Sequence, residues 1–433
     1  MMIARLLSIL ISTLLLAACS IPIRRNMPIV AITATPQHKL LLISIDGLRA
    51  DALEHGQAPQ LARLAADGVR ARWMTPSYPA LTFPNHYTLV TGLRPDHHGI
   101  VHNTMEDPLL GTFEPERHEA ISDGRWWGGE PIWVSAEHAG IRSATFFWPG
   151  SEASIAGTRP SRWHVYNKRI PLDTRVNQVL RWFNERGPDA PRLVILHFEQ
   201  VDTAGQGFGP DSPQYAAAVH TIDTVIGRLI DSLRHHGRLA DTDVIVVSDH
   251  GIAPVPGDHA VPLERIVRVS DVHVVSDGQV LGITPLPGHE SQIEAMLLGA
   301  HATYDCWRKQ AVPAHWHYGT HPRIPTILCQ MHEGWDALPA AQIIKRNPLQ
   351  MRGSSGFDPT LPSMHAVFLA HGPSFIPGTL LNPISNVDVY PLLARLLGIP
   401  AAPNDGDPRA LLPALRSDNA ATGYTYSKRD AQH

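Results

Sequence analysis

Cysteine is scarce in this chain of 433 residues: three in all, at positions 19, 306 and 329, so no disulfide framework holds it together. Neither sign of charge is in surplus. The 36 Lys and Arg stand against 40 Asp and Glu, which leaves no basic patch for polymeric nucleic acid. No internal repeat at solenoid periods is present, which excludes a repeat array. The apolar run from Leu6 to Leu16 is too short to cross a bilayer comfortably. Histidine, by contrast, is plentiful at 25 residues, and several stand in the segments that matter most.

The most informative of these runs Tyr78-Pro-Ala-Leu-Thr82-Phe-Pro-Asn-His-Tyr-Thr-Leu-Val-Thr-Gly. It sets one threonine among turn-forming residues just ahead of a helix-like apolar run, with the helix expected to begin near Asn85. A helix there points its positive N-terminal end at any anion beside the Thr82 hydroxyl. Thr82 is thus either a nucleophile or a helix cap, the commoner role at such a boundary. Leu40 to Asp46-Gly47, Leu193 to Asp202, and Val244 to Asp249-His250-Gly251 each close a run of β-branched and apolar residues with a carboxylate. Strands of a parallel α/β sheet do so at their binding edge. The pattern places Asp46, Asp202, Asp249 and His250 around one crevice with Thr82, where carboxylates repel one another unless cations join them.

Ile45-Asp46-Gly47, the Thr82-Phe-Pro-Asn-His86 loop, Gly99-Ile-Val-His-Asn103 and Ser248-Asp249-His250-Gly251, in that order and spacing, resemble the nucleotide pyrophosphatase/phosphodiesterase family of the alkaline phosphatase superfamily. The resemblance runs from about Lys39 to Pro403-Asn-Asp-Gly406 and is closest to the bacterial members. It implies an α/β fold of alkaline-phosphatase type, with a mostly parallel central sheet flanked by helices. It further implies that Thr82 attacks phosphorus to give a covalent phosphothreonine, which water then hydrolyses, each step an in-line displacement between two zinc ions. One zinc would be held by Asp46, Asp249, His250 and the Thr82 oxygen. Asn103 would donate its side-chain amide to a phosphoryl oxygen opposite the Thr82 backbone N–H.

The second metal site departs from the family pattern. An Asp-x-x-x-His spacing reads here Asp202-Thr-Ala-Gly-Gln206, and a His-Gly-Tyr/Phe-Asp run reads Ser355-Gly-Phe-Asp358. Gln206 and Ser355 stand at two histidine positions, and an amide or hydroxyl oxygen is a much poorer zinc donor than imidazole. Three explanations stay open: a harder ion such as magnesium or calcium, a borrowed histidine such as His365 or His371, or an empty second site. Hence two functions are carried forward. One is metal-dependent hydrolysis of nucleotide phosphodiester and pyrophosphate bonds, releasing nucleoside 5′-monophosphates. The other is nucleotide binding on the same fold with impaired or lost turnover.

Phe83, next to the nucleophile, and Tyr166 match the family positions that sandwich a nucleobase, with core packing as the plain alternative for Tyr166. Arg5 and the apolar run end in Leu16-Ala-Ala-Cys19, which resembles a bacterial lipobox. Residues 1–18 are therefore read as a signal peptide and 19–38 as a lipidated N-terminus and tether, which places the protein in the periplasm, anchored to a membrane. The catalytic domain is expected at 39–415, with an inserted mixed lobe at about 251–350, and a tail at 416–433. Cys306 and Cys329 are either paired, as an oxidising compartment permits, or buried free thiols. The stretch Ala314-His-Trp-His-Tyr-Gly-Thr-His321 fits no standard ligand spacing and is read as an ordinary loop.

Overall fold

The computed structural model describes residues 38–417. The expected signal peptide, Cys19, nearly all of its tether and most of the C-terminal tail lie outside the described residues.

Lys39-Leu-Leu-Leu-Ile-Ser-Ile45 is apolar on both faces, as a strand covered by helices on both sides must be. It runs parallel to Leu193–Phe198 on one side and Thr242–Val247 on the other. Beyond Leu193–Phe198 lie Ser143–Phe146 and Arg162–His164, both parallel. Beyond Thr242–Val247 the strand Phe368–His371 runs antiparallel, followed by Val69–Ala71 and Thr379–Leu381. The sheet of eight strands is therefore mixed, with one strand reversed in an otherwise parallel arrangement.

Alternation along these strands feeds two cores. Leu40, Leu42, Leu193 and Ile195 pack on the face that carries Tyr87, Leu89 and Val90 of the Thr82–Thr91 helix. Leu41, Ile43, Val194 and Leu196 face the long helix Pro213–His235. That helix starts on Ser212, whose hydroxyl accepts from Tyr215 N, and buries Val219, Ile222, Ile226 and Leu233. Ser44 and His197 share the first face and are register partners on adjacent strands, so the period of two delivers two polar side chains beneath the Thr82 helix.

Two expectations are corrected. The helix expected near Asn85 begins at Thr82, with extended Leu81 at its N-cap. Pro84 reads as a barrier in the sequence, yet it sits in the first turn, where its missing N–H has no helical acceptor to lose. Asp202 was expected at a strand end. The strand stops at Phe198, and Asp202 lies in the first turn of the helix Gln200–Phe208, where an acidic side chain complements the helix dipole.

Within residues 251–350 a five-stranded antiparallel sheet spans Val272–Ser276 to Ile327–Met331 with the helix Glu290–Leu297 against it. Cys306 and Cys329 are register partners on two of its strands and form a disulfide.

Candidate active site

Two chain segments leave adjacent strands of the sheet, and a helix meets them. Asp46 follows the Lys39–Ile45 strand, Asp249 and His250 follow Thr242–Val247, and the Thr82 helix lies across them. Thr82 does not act as a cap: the N-cap carries no side-chain hydrogen bond, and Thr82 Oγ1 instead lies 3.2 Å from His250 Nε2. Its loop is held by Asn85. The Asn85 Oδ1 accepts from Ser77 N and from Asn386 Nδ2, both at 2.8 Å, and Nδ2 donates to the Pro79 and Leu81 carbonyls. Asn103 Oδ1 accepts from Phe83 N at 2.9 Å, which leaves its Nδ2 as the donor for a ligand.

Asp46, Asp202 and His250 form one buried group with a donor atom from each within 4.8 Å of the others, and Asp46, His86 and His197 form another. Asp46 belongs to both. His250 Nε2 is 3.0 Å from Asp249 Oδ2 and 3.7 Å from Asp46 Oδ1, and His86 Nδ1 is 3.2 Å from Asp249 Oδ2. Even so, Asp46 Oδ1, Asp202 Oδ1 and Asp249 Oδ2 are buried with no hydrogen bond of acceptable geometry. Donor atoms this close, with carboxylate oxygens left unmet, can serve as ligands to one ion. Two ligands about 2.0–2.1 Å from one tetrahedral ion sit roughly 3.3 Å apart, close to the separations seen. The carboxylates and imidazole of the first group thus fit a divalent metal.

Without a cation the cluster holds protons in its place. Burial opposes the charged form of His250, but Asp249 beside it outweighs this and raises the imidazole to about 10. Burial and the neighbouring Asp249 charge raise Asp46 to about 8. Burial, with Asp46 adding to it, raises Asp202 well above the carboxylate range. Burial lowers His197 to about 4, so that ring is neutral at physiological pH.

Of the residues flagged at the second site, Gln206 Nε2 donates to Asp202 Oδ2 at 2.7 Å, one helical turn away. The amide therefore presents N–H, not oxygen, to the carboxylate. Ser355 is buried beside the nucleophile loop, where Gly356 N donates to the Ala80 carbonyl. His365 stacks on Trp73 and His371 ends a strand, and neither joins a metal-type group among the described residues. In the histidine-rich stretch, His315 and Trp316 both bond to Asp358, and no metal-type group forms there among the described residues. Sequence reasoning missed His86 and His197 as members of the cluster. A legible signal for His197 was one imidazole inside the otherwise apolar Leu193-Val-Ile-Leu-His-Phe strand, a position that is costly to fill with a polar ring unless something meets it.

A cavity of about 460 Å³ opens from Asp46, Thr82, His197 and Asp202 towards Phe83, Asn103 and Tyr166. This is ample for a nucleotide. Phe83 and Tyr166 border the same space, and Tyr166, 46 % exposed, meets Phe147 edge-on and is fixed by its backbone N–H on Glu152 Oε1. Below them Arg175, fully buried, holds Glu199 with two bonds of 2.6 and 2.8 Å.

The family described as type I phosphodiesterase / nucleotide pyrophosphatase matches residues 40–358. An uncharacterised pyrophosphatase/phosphodiesterase of Schizosaccharomyces pombe is 34 % identical over 89 % of this chain and 82 % of its own length. A Xenopus laevis protein named bis(5′-adenosyl)-triphosphatase is 33 % identical over 86 % of this chain and 80 % of its own. Murine ectonucleotide pyrophosphatase/phosphodiesterase 5, solved as an inactive threonine-to-alanine variant with AMP, superposes with a TM-score of 0.82 at 32 % identity, covering 88 % of this chain and all of that one. These relatives are eukaryotic.

Proposed function

The chain belongs to the type I phosphodiesterase / nucleotide pyrophosphatase family, and on that premise we propose that it cleaves nucleotide phosphodiester and pyrophosphate bonds through Thr82 and releases nucleoside 5′-monophosphates. The observation that carries this reading is the uncapped Thr82 hydroxyl, at the first position of a helix, 3.2 Å from His250 and at the inner end of a cavity bordered by two aromatic rings. Relatives named for a dinucleoside triphosphate and solved with AMP support the substrate class, and the inactivity of one threonine-to-alanine variant supports the nucleophile.

Asp46, Asp249 and His250, with Asp202 in reach, would hold a zinc ion beside the Thr82 oxygen. Such an ion lowers the hydroxyl pKa and offsets charge on the transferring phosphoryl group. The remaining work falls to this chain. Thr82 Oγ1, its proton passed to solvent, forms a bond to phosphorus as the bond to the leaving oxygen breaks in line; the leaving group departs, taking a proton from solvent, and the nucleoside monophosphoryl group is left on Thr82. Water then forms the new P–O bond, Thr82 leaves and regains a proton, and nucleoside 5′-monophosphate departs. Asn103 Nδ2 and the backbone N–H at the helix start, which has no helical acceptor, bracket a phosphoryl oxygen. Phe83 and Tyr166 position the base. Replacing Tyr166 with Ala is expected to raise KM about five- to 150-fold with kcat little changed, matching roughly 1–3 kcal/mol of stacking; an unchanged KM for thymidine 5′-monophosphate p-nitrophenyl ester shows that the ring does not touch the base.

A second reading, nucleotide binding with impaired turnover, is favoured by Gln206 and Ser355 at two family histidine positions. Release of p-nitrophenol from that ester separates the two: sustained release over many turnovers supports the enzyme, and tight binding without it supports the alternative.

We also propose that the chain is a bacterial lipoprotein, exported and lipidated at Cys19, on the strength of Leu16-Ala-Ala-Cys19. No helix among the described residues is long and apolar enough to cross a membrane. Cys19→Ala is expected to release the protein into the soluble fraction and change its gel mobility. Retention in the membrane fraction at unchanged mobility contradicts lipidation.

A further inference from the structure

The family's second metal position is filled differently in this chain. Where a histidine would face Asp202, Gln206 directs N–H at Oδ2 from 2.7 Å. For an ion there glutamine offers at best an amide oxygen, and only by giving up this bond, which makes it a much poorer zinc donor than imidazole. On the opposite side of Asp46 the chemistry is reversed. His197 Nε2 lies 3.4 Å from Asp46 Oδ2. That is long for a charge-assisted hydrogen bond, which settles near 2.7–2.9 Å, and right for two ligands on one tetrahedral ion, about 3.3 Å apart. The ring is 4 % exposed, its Nδ1 has no hydrogen-bond partner, and its Nε2 meets only the long contact to Asp46.

His86 completes the group. Its Nδ1 lies 3.0 Å from the Thr82 carbonyl, which can only accept, and this fixes the proton on Nδ1. The Nε2 lone pair is then turned to Ser44 Oγ at 2.8 Å, so an ion on Nε2 would need the Ser44 side chain to turn aside. His86 and His197 meet edge to face with centroids 4.7 Å apart. Two buried imidazoles and a shared carboxylate are a zinc-type donor set, and His197 also lines the cavity, so an ion there would be reached from the substrate side.

We infer that His197 is a metal ligand, which with Asp46 and His86 binds a second divalent ion in place of the position lost at Gln206 and Ser355. This rests on the metal-dependent reading of the Thr82 site, and Asp46 belongs to both donor groups. The test counts metal without turnover. Chelator-stripped protein is titrated with zinc and, for its visible spectrum, with cobalt, and bound ions are counted by equilibrium dialysis. The full chain is expected to take two ions. His197→Ala and His197→Gln should each take one, with the second weakened by more than the about 10–100-fold that loss of a mere supporting contact costs. Adding Gln206→His and Ser355→His to His197→Ala should bring the second ion back. Glutamine keeps the side chain long and able to donate to Asp46, so it separates ligation from positioning. Two ions at unchanged affinity in His197→Ala, full recovery in His197→Gln, or a single ion bound equally by the parent chain and His197→Ala overturns the assignment. A parent chain that binds two ions and cleaves no nucleotide ester leaves the assignment standing and defeats the proposed function instead.

Discussion

Thr82→Ala should lower turnover of a nucleotide ester by at least about a thousandfold while leaving the fold and nucleotide binding nearly intact, because the change removes the proposed nucleophile and little else. Thr82 Oγ1 meets His250 Nε2, and the helix start does not use it as a cap. Asn85, through four hydrogen bonds, holds the loop independently of residue 82. Phe83, Asn103 and Tyr166 still line the cavity, so AMP should bind the variant about as well as the parent chain. Melting temperature, AMP affinity and kcat measured together make the case. Turnover within about tenfold of the parent would mean that water, not Thr82, attacks phosphorus.

Stripping the metal should abolish turnover, and the affinity with which zinc restores it should climb about tenfold per pH unit for each proton expelled. The sign follows from the metal-free cluster. His250 is raised to about 10 by Asp249, which overcomes burial, so the ring is protonated throughout the neutral range and must lose that proton to bind a cation. Asp46, raised by burial and by Asp249, adds to the proton that a cation must displace. Between about pH 6 and 8 each binding event therefore releases at least one proton, and affinity falls as pH falls. An affinity independent of pH over that window would place the metal away from Asp46 and His250. Full activity after exhaustive chelation would remove metal from the reaction altogether.

What the sequence made legible was the part of the site that short-range pattern controls. Apolar runs closed by Asp46 and Asp249 mark strand ends, and strand ends gather at one edge of an α/β sheet by topology alone. The loop around Thr82 was legible because turn residues beside an apolar run announce a helix, although the helix begins at Thr82 and not near Asn85. What stayed hidden depends on long-range register. His197 reaches the cluster because Ser44 and His197 are paired across two strands about 150 residues apart in the chain, a pairing no local period reveals. The reversed strand Phe368–His371 was hidden for the same reason: its apolar run reads alike in either direction. Gln206 reads in the sequence as a departure from the family pattern, and its contact with Asp202 becomes visible only in the fold.

The most direct test of the account is to stop the enzyme in acid during its first turnovers of a nucleotide ester and map its peptides by mass spectrometry. The expected result is a nucleoside monophosphoryl group on Thr82, present only while substrate lasts and absent from Thr82→Ala. Steady product formation with Thr82 unmodified at every time point, or the adduct on another residue, would contradict it.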